Sequence, residues 1–84
     1  MSDLWEYALE QLRPRMSQES YETWLAPIQC DGFEGTKIKL RIPNSFYADW
    51  IAMHYQDLIF SALRERGVEG ALSIAWQVDE SIQI

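Results

Sequence analysis

His54 and Cys30 are the single histidine and the single cysteine of the chain. Metal clusters and Cys/His nucleophile pairs need several such side chains converging on one point, so both lack members here. No G-x-x-x-x-G-K-[ST] run is present, and with it goes the backbone cradle for nucleotide phosphates. The paired acids Glu19/Glu22 and Asp79/Glu80 read as solvated charge. His54 falls between Trp50 and Leu58 on a helical pattern and reads as a partly buried core histidine. What remains is contact chemistry. Phe46 and Trp50 stand one helical turn apart just after a break at Pro43, and an exposed large aromatic is an anchor for binding. Lys37, Lys39 and Arg41 alternate along a strand-like run, a small basic stripe that could meet single-stranded nucleic acid weakly and salt-sensitively. The preferred reading of that stripe is the solvent face of an amphipathic strand, because three charges have no clear stacking aromatic beside them.

The elements that position these residues follow from pattern. Residues 3–13 predict a helix with Leu4, Trp5, Ala8, Leu9 and Leu12 on one stripe. Asp3 is its expected cap, with Glu6 completing a capping-box-like pair, and Pro14 stops it. Residues 18–26 predict a second helix, capped by Ser17, with Glu19 in its first turn and Tyr21, Trp24 and Leu25 on its apolar side. Pro27 ends it. Residues 28–33 and 37–42 predict a β-hairpin through Glu34-Gly35-Thr36, with Ile38, Leu40 and Ile42 on the inner face. Gly32-Phe33-Glu34-Gly35 also matches the G-x-x-G of RNA-binding KH modules, but it falls in a hairpin and holds an acid, so it reads as a turn. Asn44 or Ser45 caps a third helix over about residues 45–66, which Gly67 stops. Its expected inner side is Tyr47, Ile51, His54 or Tyr55, Leu58, Ile59, Ala62 and Leu63. Residues 71–78 predict a third strand with Leu72, Ile74, Trp76 and Val78 on one face. The order α-α-β-β-α-β gives a two-layer α+β domain, a three-stranded sheet covered by helices. It spans residues 1–78, and 79–84 reads as a loose tail or the start of a linker.

Composition bounds the rest. Eighty-four residues with 48% hydrophobic content make one folded domain with a small core. Net charge is −6, and only residues 27–43 are net positive. An acidic module gains no counterion release on duplex DNA and suits a protein partner better. The lone cysteine excludes an internal disulfide, the run Met1-Ser2-Asp3-Leu4-Trp5 does not read as a signal peptide, and no apolar run reaches membrane length. The chain reads as cytoplasmic, with no membrane contact.

Four tryptophans are hard to bury in so small a core. Trp24 and Trp76 read as core. Trp5, at the start of the first helix, either packs on the second helix or is an exposed contact. Phe46, with Tyr47 turned inward, is expected to point outward as a contact, the other reading being that it closes the end of the sheet.

Asp3-Leu4-Trp5 opening a helix, Tyr21-Glu22-Thr23-Trp24-Leu25 before a proline, and Pro43-Asn44-Ser45-Phe46-x-x-Asp49-Trp50 followed by His54-Tyr55 together resemble the N-terminal domain of DnaA, the bacterial chromosomal replication initiator. The likeness covers about residues 3–78. It implies a KH-like fold and a non-catalytic role in protein interaction: weak homodimerisation through the first helix, recruitment of the replicative DNA helicase, binding of initiation regulators, and weak single-stranded DNA contact. By position, Trp5 with Leu4 and Leu9 would carry self-association. Phe46 would carry the helicase contact with Asn44, Trp50, Glu19 and Ser20; Ser20 stands where some members hold an acid, and Glu19 is the substitute. Lys37, Lys39 and Arg41 would be the single-strand contact. The resemblance implies no cofactor in these residues, since ATP would belong to an ATPase domain outside them. Two alternatives stay open: a small KH-like single-stranded nucleic-acid binder, and a regulator that competes for the initiator's partners.

Overall fold

A computed structural model describes residues 3–83. The elements are α1 (Asp3–Leu12), a 3-10 turn (Arg13–Arg15), α2 (Gln18–Ser20, continuing into a wide helical turn over Tyr21–Leu25), β1 (Gln29–Glu34), β2 (Lys37–Ile42), α3 (Ser45–His54), α4 (Gln56–Glu65) and β3 (Ser73–Val78). β2 is the central strand, antiparallel to β1 and parallel to β3. The parallel pair needs a long crossover, which α3 and α4 supply. The architecture is therefore the α+β order that the residue pattern predicts. No helix among the described residues is long and apolar enough to cross a membrane.

The core sits between the sheet and the helices. Ile38, Leu40 and Ile42 alternate along β2 and are fully buried, as are Leu12, Leu25, Ile51, Ile59 and Leu63. Trp5, Ala8 and Leu12 recur at helical spacing and form the inward stripe of α1, which packs along α4. The side chain at position 5 is therefore in the core, at 5% exposure. Of the two readings open for Trp5, the structure selects packing, against the core rather than as an exposed contact. Trp76 pairs across from Leu40 on the helix side of the sheet but is only half-buried, because β3 is an edge strand.

Three local details depart from the predicted elements. First, the long helix is divided at Tyr55, whose φ of −127° and ψ of −12° leave helical geometry. The bonds Tyr55 N–H to Ile51 carbonyl and Ile59 N–H to Tyr55 carbonyl persist across it, so this is a kink; no proline or glycine explains it. His54, on the outward phase of α3 ahead of the kink, is exposed and Tyr55 is half-buried, which corrects the expectation of a core histidine. Second, β1 carries a bulge between Cys30 and Gly32, with Gly32 at φ 113°, a backbone region open to glycine. Gly35, at φ 62°, makes the hairpin turn, so the G-x-x-G run joins strands and not helices. Third, Asp3 is already helical and acts as a first-turn acid instead of the cap.

The expected loose tail is, as far as Ile82, a hydrogen-bonded turn. Asp79 donates its N–H to the Ile42 carbonyl at 2.7 Å, and Ile82 donates to the Asp79 carbonyl at 3.1 Å. Arg41 ties the three strands together on the solvent face, bonding Asp31 of β1 at 2.9 Å and Asp79 beyond β3 at 2.8 Å. The Ser81 hydroxyl and N–H, then Arg41, hold the Asp79 carboxyl below its usual value; the Lys39 ammonium does the same for Glu34. Both folded-state values lie below the unfolded ones, so their stabilisation is present above the unfolded carboxylate range and is lost as pH falls through the folded values. We expect the urea midpoint to hold between about pH 7 and pH 5 and to fall below about pH 4. Asp79→Asn should flatten that fall; an identical acid profile in the variant would remove Asp79 from the account.

Candidate functional site

Pro27 sets up the site from a distance. In an α-helix the Thr23 carbonyl would accept from the residue four positions on, which is Pro27 and has no N–H. The chain widens instead: Ala26 donates its N–H to the Tyr21 carbonyl five residues back, at 2.9 Å. The Thr23 carbonyl is taken by the Tyr47 hydroxyl of α3 at 3.1 Å. Tyr47 is buried, and burial pushes its phenol above the usual value, so it remains a donor. The wide turn also displaces Trp24. In an α-helix it would lie over Tyr21 three residues earlier; a turn with more residues swings it aside toward α3.

Trp24 thereby joins a surface cluster. Its ring stacks on Trp50 with centroids 4.7 Å apart and planes 15° from parallel, within the preferred range for offset aromatic pairs. Phe46 lies 5.9 Å from Trp24 and 6.2 Å from Trp50, tilted to both. His54 sits 4.1 Å from Trp50, tilted to it. Asn44 caps α3 through its side-chain oxygen, accepting from the Phe46 N–H at 3.0 Å, and so fixes the turn from which Phe46 projects. Phe46 is 59% exposed and Met53, two turns further on, 78%. The Trp50 indole N–H is buried without an acceptor among the described residues, a polar group that a fold tuned only for stability would satisfy. Tyr47→Phe should leave the Thr23 carbonyl without its partner. We expect a loss of about 1–3 kcal/mol, read by thermal denaturation, with a shift in tryptophan fluorescence as Trp24 loosens.

The structure brings Phe46 and Trp50 together, as the sequence placed them, and adds two residues that it did not. Trp24 was expected in the core, but it is half-buried and forms the floor of the cluster. His54 completes the rim, and Met53 lies exposed further along α3. A signal for His54 existed: Phe46, Trp50 and His54 recur every four residues, one position out of phase with the buried Tyr47 and Ile51. Glu19 is exposed and Ser20 half-buried in the first turn of α2; the Ser20 hydroxyl and N–H are both engaged with Ser17 Oγ, so the cap occupies this serine. Leu4 and Leu9 are half-buried along α1.

The basic stripe lies on the open face of the sheet. Lys39 pairs with Glu34 at 3.1 Å and Arg41 with Asp31 and Asp79, so two of its three cations already face carboxylates. Cys30 is half-buried, and burial pushes its thiol up, away from nucleophilic thiolate character. Among the described residues no group of His, Cys, Asp and Glu is arranged to hold a metal ion.

The fold and this surface define a class: a small two-layer α+β domain with a mixed sheet, whose prominent surface feature is a stacked aromatic patch where α2 meets α3. The family model described as the DnaA N-terminal domain matches residues 2–65, and the chain belongs to that family of replication-initiator domains. The matched span holds α1 through α4 and the whole aromatic patch; β3, which lies outside it, completes the sheet.

Proposed function

We propose that this chain is a non-catalytic interaction domain of a bacterial chromosomal replication initiator, working in the cytoplasm, and that the aromatic patch docks the replicative helicase and regulators of initiation. One observation carries this reading: Phe46 is 59% exposed while the side chains beneath it are stacked in place. A ring held out from a rigid aromatic floor is an anchor with little conformational entropy left to lose on binding. Asn44 supports it as a cap, Trp50 and Trp24 as the floor, and Glu19 as an exposed charge on the neighbouring helix. The same reading includes weak self-association of the chain. Surface plasmon resonance of purified domain over immobilised helicase tests the docking: binding should be saturable and lost with Phe46→Ala. Binding of single-stranded DNA through Lys37, Lys39 and Arg41 should remain in the weak, salt-sensitive non-specific range; tight single-strand binding abolished by charge reversal of those three would overturn the protein-docking reading.

A further inference from the structure

The two margins of the sheet differ. β1 is blunted as a pairing edge by its bulge at Cys30/Gly32 and by Asp31 and Glu34, devices that discourage strand addition. β3, Ser-Ile-Ala-Trp-Gln-Val, has no charge, proline, glycine or bulge. Ser73 donates its N–H to the Thr36 carbonyl at 3.1 Å and Asp79 to the Ile42 carbonyl at 2.7 Å. The odd-numbered residues therefore direct their backbone groups at β2. By alternation, Ile74, Trp76 and Val78 direct theirs outward, where no other strand among the described residues pairs with them. The side chains of the same three residues lie on the helix side, in register with Ile38, Leu40 and Ile42. Val78 is 49% exposed there, beside Ile74 and Trp76, which are half-buried against the core.

We propose that this edge pairs with a second copy of the chain, β3 antiparallel to β3, about a two-fold axis at Trp76. In that register Ile74 lies opposite Val78 of the other copy, and Trp76 opposite Trp76. All three pairs then join residues whose N–H and C=O groups point outward, the hydrogen-bonded type of antiparallel pair. The apolar side chains of both copies fall on one face, which continues the core layer across the joint. Asp79 lands opposite Ser73 and Glu80 opposite Leu72, so no acid opposes an acid. A slip of one residue sets outward groups against inward ones and turns the apolar face over. A slip of two leaves only two of the three pairs. This self-complementarity is what an isologous two-fold contact requires, and it selects a second copy over an unrelated peptide. Two six-residue strands bury less than the ~1,000 Å² of a stable interface, and each chain carries a net charge of −6. The dimer is therefore weak and tightens as salt screens the repulsion.

The inference rests on the self-association part of the proposed function and moves it from α1 to β3. Sedimentation equilibrium of the whole chain, with Val78→Lys, Val78→Pro and Leu4→Gln beside it, tests it. Val78 is half exposed and its N–H is not used by β2, so both Val78 variants keep the β2–β3 ladder, as circular dichroism would check. The expected result is a reversible wild-type dimer whose Kd rises at least ~10-fold in both Val78 variants, through added like charge in one and a lost edge donor in the other. Leu4→Gln should leave it unchanged. In wild-type protein, amide exchange at Ile74, Trp76 and Val78 should slow as concentration rises. A chain that is monomeric at every concentration overturns both this proposal and the self-association reading. A dimer that survives the Val78 variants, or that dissociates with Leu4→Gln, overturns the β3 assignment alone, as does concentration-independent exchange at the three amides.

Discussion

Phe46→Ala is expected to weaken binding to the replicative helicase by ~2 kcal/mol or more, a rise in Kd of roughly 30-fold, with the fold intact. The two halves of that statement have separate grounds. Phe46 is 59% exposed and its N–H, not its ring, receives the Asn44 cap, so truncation should change stability by no more than about 0.5 kcal/mol. Its ring nonetheless lies against Trp24 and Trp50, which stack at 4.7 Å. A partner that covers Phe46 would also cover the edges of that stack and desolvate one continuous apolar surface, where binding energy concentrates. Met53→Ala offers the contrast. Met53 is more exposed, at 78%, and is not one of the paired rings, and its loss should weaken binding by less than ~1 kcal/mol. Equal effects of the two substitutions would mean that the patch acts through general apolarity, without Phe46 as anchor. An unchanged helicase affinity for Phe46→Ala, in protein with a native melting curve, would remove the assignment.

The parts of this molecule that obey a repeat were readable in the chain, and the parts that depend on one missing atom or one neighbouring element were not. Ile38, Leu40 and Ile42 alternate, and all three are fully buried. Ser17 and Asn44 cap their helices as their types and places suggest. Tyr47 and Ile51 fall inward by helical period, which leaves Phe46 outward. Trp24 was misplaced because helical period assumes an ordinary turn. The absent N–H of Pro27 belongs to the sequence, but that it widens the preceding turn and hands the Thr23 carbonyl to Tyr47 depends on where α3 lies. His54 was misplaced although the period within α3 sets it outward, in phase with Phe46 and Trp50 and one position off the buried Tyr47 and Ile51; the kink at Tyr55, which follows it, has no local signature. Asp79 read as tail because its partners, Arg41 and the Ile42 carbonyl, are distant in sequence and adjacent only once β3 lies beside β2.

Trp5→Ala is the substitution with the largest expected effect on stability. The resemblance assigns this residue to self-association, yet its side chain is 5% exposed, in one stripe with Ala8 and Leu12 against the core. Removing a buried tryptophan deletes its apolar burial and leaves a cavity, a loss of about 3–5 kcal/mol. A domain of this size has on the order of 5–15 kcal/mol in total, and each kcal/mol shifts Tm by about 4–8 °C. The melting temperature should therefore fall by at least about 12 °C, measured at concentrations where the protein is monomeric. Trp5→Phe, which keeps most of the volume, should fall much less. If Trp5 were instead a surface contact in the monomer, Trp5→Ala would abolish the dimer and leave the monomer's Tm nearly unchanged. The structure expects the reverse order of events: monomer stability falls first, and any loss of self-association follows from unfolding of α1. A dimer defect in Trp5→Ala is thus evidence about the interface only when the dilute variant melts like wild type.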